Sequence, residues 1–460
     1  MSATTAPCPA TPDVRATRVT PAALTERTAT LPTRLAAATP IPVIRSVRPV
    51  AAPRRVRAGV IGPRASLFLL ASLVISFLSA SSAPTPLYAA YQARWGFSPI
   101  TTTIVFGIYA VAVLTALLVL GKLSDHLGRR PVLLSALAVE AASMVVFATA
   151  GSVTALIVAR IVQGLATGAA VGAVGAGMLD LDRARGTLAN AVAPGLGTGT
   201  GALLSALVVQ FLPAPSRLIY LLLLGVFALQ AVGVLLMTET VSRAPGALSS
   251  LAPEIRLPRA VRTPVLVAAP VLFAVWSLAG FYGSLGPSLI RRLSGSNSVV
   301  YGGLGLFVLA AFAALTVIVL RNAQALPVMW LGIAALIAGV ALAVLAVDAR
   351  STLLFFVGTA IAGVGFGGGF QGGIRTVVPK TQPHERAGVL SLLYVVSYLG
   401  LGVPAVLAGV LVVDAGGLIA TAREYGLAVI VLALIAAAGL ARQHVRRPAA
   451  ALDSGARSER

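Results

Sequence analysis

The chain has 460 residues, 57% of them hydrophobic and only 11% charged, with a formal net charge of +21. So little charge excludes a water-soluble globular domain, which carries about 25%. A single cysteine, Cys8, excludes a disulfide framework. The histidines, His126, His384 and His444, all fall at the ends of apolar segments and form no ligand cluster, so neither a metal nor another cofactor is expected.

Residues 1–64 are rich in Ala, Thr, Pro and Arg, with Asp13 and Glu26 as their only acids. Such a segment buries too little apolar surface to offset its ordering entropy, and a disordered tail is predicted. It has no apolar core of the signal-peptide kind. It is either dispensable or a contact for anionic lipid headgroups.

Beyond it, the intervals Arg64 to Arg94, Arg94 to Lys122, Arg185 to Arg217, Arg262 to Arg291 and Arg386 to Asp414 carry no charge at all. Each exceeds the roughly 20 helical residues that cross a bilayer. No inside-outside alternation of the barrel kind runs through them, so helices are expected. The predicted spans are about 65–91, 98–120, 131–150, 153–178, 188–211, 217–237, 264–289, 299–320, 327–347, 352–375, 387–413 and 425–441.

With the N-terminus placed inside, 28 of the 35 Lys and Arg residues fall on the cytoplasmic side and six outside, with Arg160 within a span. The basic excess therefore reads as membrane topology, both termini cytoplasmic, in the plasma or inner membrane. No aromatic-basic module accompanies it, so no nucleic-acid partner is expected.

Six spans precede the break at Glu239–Thr263 and six follow. The division is a tail over 1–64, a bundle over 65–238, a cytoplasmic loop over 239–263, a second bundle over 264–441 and a cytoplasmic tail over 442–460. A shift of 201 residues superposes Pro86 on Pro287, Gly164 on Gly365, Gly168 on Gly369, Arg185 on Arg386 and Gly199 on Gly400. A parallel repeat of this kind places a substrate site near the midplane between the halves.

Between the second and third spans lies "GKLSDHLGRRPVLL", with Gly121, Asp125, Gly128, Arg129 and Arg130 in a fixed pattern. Glycines permit a tight turn and close helix approach, while the charges can meet helix ends, acids or phospholipid. This pattern closely resembles the signature loop of the major facilitator superfamily, and the resemblance covers about residues 65–441. It implies an all-α membrane protein of twelve transmembrane helices in two pseudo-symmetric six-helix halves, with the loop as a cytoplasmic gate. The other reading is that its positive charge merely sets topology.

The fourth span, "ARIVQGLATGAAVG", is similar to the fourth helix of that family. Arg160 and Gln163 share one helical face, beside a small-residue stripe at Gly164 and Gly168. Arg160 either lines the cavity and assists proton coupling or serves as a structural hydrogen-bond donor. Asp180, Asp182, Arg183 and Arg185 follow, as charges that pair with Arg129 or Arg130 across the gate or as solvated loop residues. In the fifth span, "NAVAPGLGTGTGALL" places Pro194 before Gly195, the reverse of the family's antiporter signature. The loop "RNAQALP" keeps Arg321 alone from a second copy of the gating motif.

Glu140 is the one acid deep within a span. A carboxylate there suits reversible protonation, which makes it the coupling candidate, with a structural role as the alternative. By the resemblance, cavity helices would contribute Tyr109, Gln163, Trp276, Tyr282, Gln371, Tyr394 and Tyr398, unless these rings are packing residues. An apolar cavity with few polar anchors suits a hydrophobic or amphipathic small molecule. The expected protein is thus a monomeric proton-coupled drug antiporter, an efflux protein rather than an enzyme. An importer or symporter, or a non-transporting sensor or scaffold, is the alternative.

Overall fold

The computed structural model describes residues 59–382 and 384–458, with side chains as far as Arg442. The expectations for the tail before residue 59, for Cys8 and for the His444 side chain lie outside the described part.

Among the described residues there are fifteen α-helices: α1 (Pro63–Ser82), α2 (Tyr88–Trp95), α3 (Pro99–Leu120), α4 (Leu123–Leu127), α5 (Arg129–Thr149), α6 (Val153–Leu181), α7 (Arg183–Phe211), α8 (Pro215–Leu236), α9 (Arg262–Ser284), α10 (Gly286–Ser294), α11 (Val299–Val319), α12 (Ala325–Asp348), α13 (Thr352–Val377), α14 (Arg386–Asp414) and α15 (Gly417–Ser458). They begin where the sequence supplies a reason. Proline, which has no N–H to satisfy, stands in the first turn of α1, α3 and α8. Side chains of Ser152, Asp182 and Ser351 accept from the first backbone N–H groups of α6, α7 and α13.

Twelve segments among the described residues are long and apolar enough to cross a membrane, with α1 and α2 forming one of them, Pro63–Trp95. These are the twelve spans expected. The first is interrupted by a 3-10 turn at Thr85–Leu87, and the seventh ends at a break at Leu285, before α10. Pro86 and Pro287, which cannot donate to the helix ladder, sit at the two interruptions. The last span begins at Gly417, earlier than the sequence indicated. Arg423, in the second turn of this span, pairs with Asp348 of α12 at 2.5 Å, and a paired charge is tolerated near a helix end.

Each half has its own core. One gathers Leu70, Phe77, Met144, Phe147, Tyr220 and Phe227, the other Leu272, Ile290, Met329, Leu336, Phe355 and Val429. Two seams join the halves, α3 against α14 and α7 against α11. They are built from small residues that let backbones approach. A methyl on Gly303 would lie 2.6 Å from Ala206 Cβ, one on Gly199 3.0 Å from Ala310 Cβ, and one on Gly107 2.8 Å from Val406 Cγ2. The glycine contacts between α3 and α14 run from Thr103 to Ala110 and from Gly402 to Gly409, toward the ends remote from the 121–128 loop. Thr85 Oγ1 donates to Gly283 O at 3.1 Å at that same end. At the opposite end the 237–261 connection links the halves: Lys122 pairs with Glu254 at 2.7 Å, and Arg256 N donates to Gly388 O at 3.3 Å.

Candidate functional site

The loop between α3 and α5 is held by charge on every side. Arg129 is 5% exposed. Its Nη1 donates to Asp125 Oδ1 at 2.5 Å and to Ser124 Oγ at 2.6 Å, and its Nε donates to Asp180 Oδ2 at 3.1 Å. A cation removed from water needs such partners. Gly128 has φ +98°, a conformation L side chains rarely adopt, and directs the chain into α5. Gly172 lets α6 approach the end of α3, since a methyl on it would lie 3.2 Å from Gly121 O.

The Arg130 side chain forms no ion pair among the described residues. Its side chain donates to the carbonyl oxygens of Val234, at 3.1 Å, and Leu235, at the end of α8. A cation suits the negative end of a helix. Arg185 does not join the cluster either: it is exposed and pairs with Asp182 at 3.6 Å, the residue that caps its own helix. Glu239, which sequence reasoning missed, accepts from the backbone N–H groups of Arg129 at 2.8 Å and Arg130 at 3.0 Å. A lone acid just after the sixth apolar run was the signal available. Thr240 Oγ1 donates to Asp180 Oδ2 at 3.2 Å, and His126 takes Pro245 O at 3.1 Å, so the connection after α8 wraps this loop.

Deeper in the first half lies a buried polar relay. Arg160 is fully buried. Its Nη2 and Nε donate to Tyr88 Oη at 2.5 and 3.1 Å, and its Nη1 donates to Ser81 O and Gln163 Oε1, both at 2.7 Å. The guanidinium also lies 5.3 Å from the Tyr109 ring and 5.7 Å from that of Phe147. Gln163 Nε2 donates to Ala80 O at 3.0 Å and to Glu140 Oε1 at 3.3 Å, while Glu140 Oε2 finds no protein partner. Glu140, on α5, points into the half rather than to lipid and is 0% exposed. The Gly164–Gly168 stripe packs on α3, with methyls there 2.6 Å from Ala112 Cβ and Ala116 Cβ.

Between the halves, Trp276 packs against both cores. Its ring lies 5.1 Å from Tyr398, 5.8 Å from Phe370 and 6.3 Å from Phe366. Tyr109 and Tyr394 are ionisable neighbours of Tyr398, which connects this cluster to the relay. Three polar atoms on the helices that meet here have no protein partner: Trp276 Nε1, Gln371 Oε1 and Ser397 Oγ. Unsatisfied buried polar atoms are rare unless a site requires them. Tyr282 is elsewhere. It donates to or accepts from Thr359 Oγ1 at 2.6 Å and stacks on Phe355 within the second core. The break at Leu285, near Pro287, leaves Tyr282 in the last turn of α9, facing α13.

Twelve apolar spans, two halves meeting along small-residue seams and a midplane aromatic cluster define a multi-pass membrane protein of the transporter type. Residues 68–349, more than half of the chain, match the profile of the Major Facilitator Superfamily, and the chain belongs to that superfamily. Its fold is similar to that of the nucleoside transporter NupG, solved in a point-mutant form, with TM-score 0.60 and 13% identity over 82% of this chain and 98% of that one. It is similar also to the human organic anion transporter MFSD10 (TETRAN), with TM-score 0.59 and 19% identity over 82% of this chain and all of that one.

Proposed function

We propose that this transporter exports small hydrophobic or amphipathic molecules in exchange for protons, by alternating access between the halves 65–238 and 264–441. One arrangement carries the reading: an aromatic, sparsely polar cluster between the halves, and a buried network of ionisable groups in one of them whose Tyr109 is a neighbour of Tyr398 in that cluster. The rings of Trp276, Phe366, Phe370 and Tyr398 offer stacking surface. Unpartnered atoms of Trp276, Gln371 and Ser397 offer a few hydrogen bonds. Arg160 is engaged by Tyr88 and Ser81 on its own side, so the seam offers no spare cation at that depth. This favours neutral or cationic amphiphiles over the anions named for MFSD10.

Glu140 is the proton-binding group, and Gln163 and Arg160 transmit its state to Tyr109 at the seam. Gly121, Asp125, Gly128, Arg129, Arg130 and Asp180 form the gate on the cytoplasmic side of the plasma or inner membrane, with both termini on that side. In this reading the glycine contacts of α3 with α14, at the end remote from the 121–128 loop, are those that part when the transporter opens to the outside.

The test uses everted vesicles and a fluorescent lipophilic cation. An inward-acid gradient drives accumulation in the wild type and not in Glu140→Gln, which retains gradient-independent counterflow. Accumulation indifferent to the gradient in the wild type would overturn the coupling, and absence of any flux would overturn the export reading.

A further inference from the structure

The ends of α9, α12, α13 and α15 meet around a crevice of about 770 Å3, part of it open to the surface, that belongs neither to the seam nor to the gate cluster. Val267, Leu326, Met329 and Leu440 give it apolar walls, Arg375 and Thr376 its polar groups, and Lys380 lies at its rim. These helix ends are on the same side as the 121–128 loop, the side on which the sequence concentrates its arginines.

Arg375 is half-buried there. Its Nη1 donates to Leu320 O at 3.3 Å and its Nη2 to Ala323 O at 2.5 Å. Both partners are carbonyls, that of Leu320 at the C-terminal end of α11, and they aim the guanidinium and offset its charge only in part. Among the described residues no carboxylate forms an ion pair with it. The contrast with the first half is direct, since Arg129 has both Asp125 and Asp180. A cation withdrawn from water without a counter-charge is costly. At the end of a membrane-spanning bundle, beside an apolar wall, the complementary group is one that joins an anion to hydrocarbon.

We propose that this crevice binds an anionic phospholipid, its headgroup phosphate on Arg375 and its glycerol and first acyl carbons along Val267, Leu326, Met329 and Leu440. The guanidinium presents a planar fork suited to phosphate oxygens. A soluble phosphomonoester would use the same cation and leave the apolar wall unfilled.

Native mass spectrometry of the purified full-length protein tests this without any transport measurement, so its outcome is separate from that of the export reading. The probes are phosphatidylglycerol, phosphatidylcholine with the same acyl chains, and sn-glycerol 3-phosphate. Phosphatidylglycerol is expected to stay bound in preference to phosphatidylcholine, and Arg375→Gln to weaken its retention about tenfold, the loss of one charge-assisted contact. Leu326→Trp, which fills the partly exposed mouth, should lower retention while leaving Arg375 in place. Equal retention of the two lipids, or wild-type retention by either variant, overturns the proposal. Displacement of the lipid by equimolar glycerol 3-phosphate assigns the site to a soluble phosphate and overturns it too. Should Arg375→Gln not fold, the lipid preference of the wild type and the Leu326→Trp result decide.

Discussion

Gln163 donates to Glu140 Oε1 at 3.3 Å and accepts from Arg160 Nη1 at 2.7 Å, so a neutral amide holds an acid and a cation apart inside the first half. The geometry separates stability from coupling. Glu140→Gln keeps the shape and removes an ionisable group with an unpartnered oxygen, so its thermal midpoint in detergent should equal or exceed that of the wild type. Arg160→Met strands Tyr88, Ser81 O and Gln163 together and should cost about 1–3 kcal/mol for the groups left unpaired. A large fall in the midpoint for Glu140→Gln would show that its role is structural.

Gly128 and Glu239 form a second predictive pair. The backbone there has φ +98°, and a methyl on Gly128 would lie 2.7 Å from Glu239 Oε2. Gly128→Ala should therefore cost about 1–2 kcal/mol from the backbone alone, with a further penalty as Glu239 is pushed from the N–H groups of Arg129 and Arg130. Glu239→Ala should cost about 1 kcal/mol, as loss of a helix cap does. Measured together, the two substitutions should be less than additive because they damage one contact. Full additivity in denaturation would contradict the shared mechanism.

At the α7–α11 seam the tolerance for bulk is small. Gly303→Val would drive methyl groups toward Ala206 Cβ and Ala202 O, each 2.6 Å from the position of a Cβ. Overpacking of this kind costs about 1–3 kcal/mol, and it acts only on the state in which this end is closed. The population should shift toward separation at that end. Spin labels at Leu212 and Ser296, read by pulsed dipolar spectroscopy, should report a longer distance in Gly303→Val, and an unchanged distribution would refute the effect.

Lys122 holds the Glu254 carboxyl below the ordinary glutamate range, first by its hydrogen bond and then by its charge. A depressed acid contributes stability above its unfolded value and loses it as pH falls through the folded one. The tether should therefore persist through neutral pH and release only below the usual carboxylate range. Both groups are substantially exposed, so salt should weaken the contact as well. Hydrogen exchange over residues 244–254 should accelerate in acid, in high salt and, at neutral pH, in Glu254→Gln. Identical exchange in Glu254→Gln and the wild type would show that the pair contributes nothing to order there.

The sequence made the spans legible because composition alone decides what can sit in lipid, and the 121–130 loop legible because its charges interrupt that composition at fixed spacing. Facing was harder to read. In a membrane the inside and outside of a bundle are both apolar, so no polar-apolar alternation separated Tyr282, in the second core, from Tyr398, at the seam. Charge partners were readable only where distant residues had no local competitor. Asp180 reached Arg129 as one of the acids expected at the gate, whereas Arg185 was captured by Asp182 three residues before it. Arg375 was counted for topology alone, since nothing in "GGIRTVVPK" reveals that its neighbours would be carbonyls.

The chain after α8 is fastened twice, to the first half through His126 and Lys122 and to the second through the backbone contact of Arg256 with Gly388. It thereby acts as a leash of fixed length. When the halves tilt, the distance between its two moorings must change, and the leash can only slacken or tear one of them loose. In the proposed rocking of the halves, this connection would set part of the amplitude, and shortening it should restrain the motion without touching a single residue of the twelve spans.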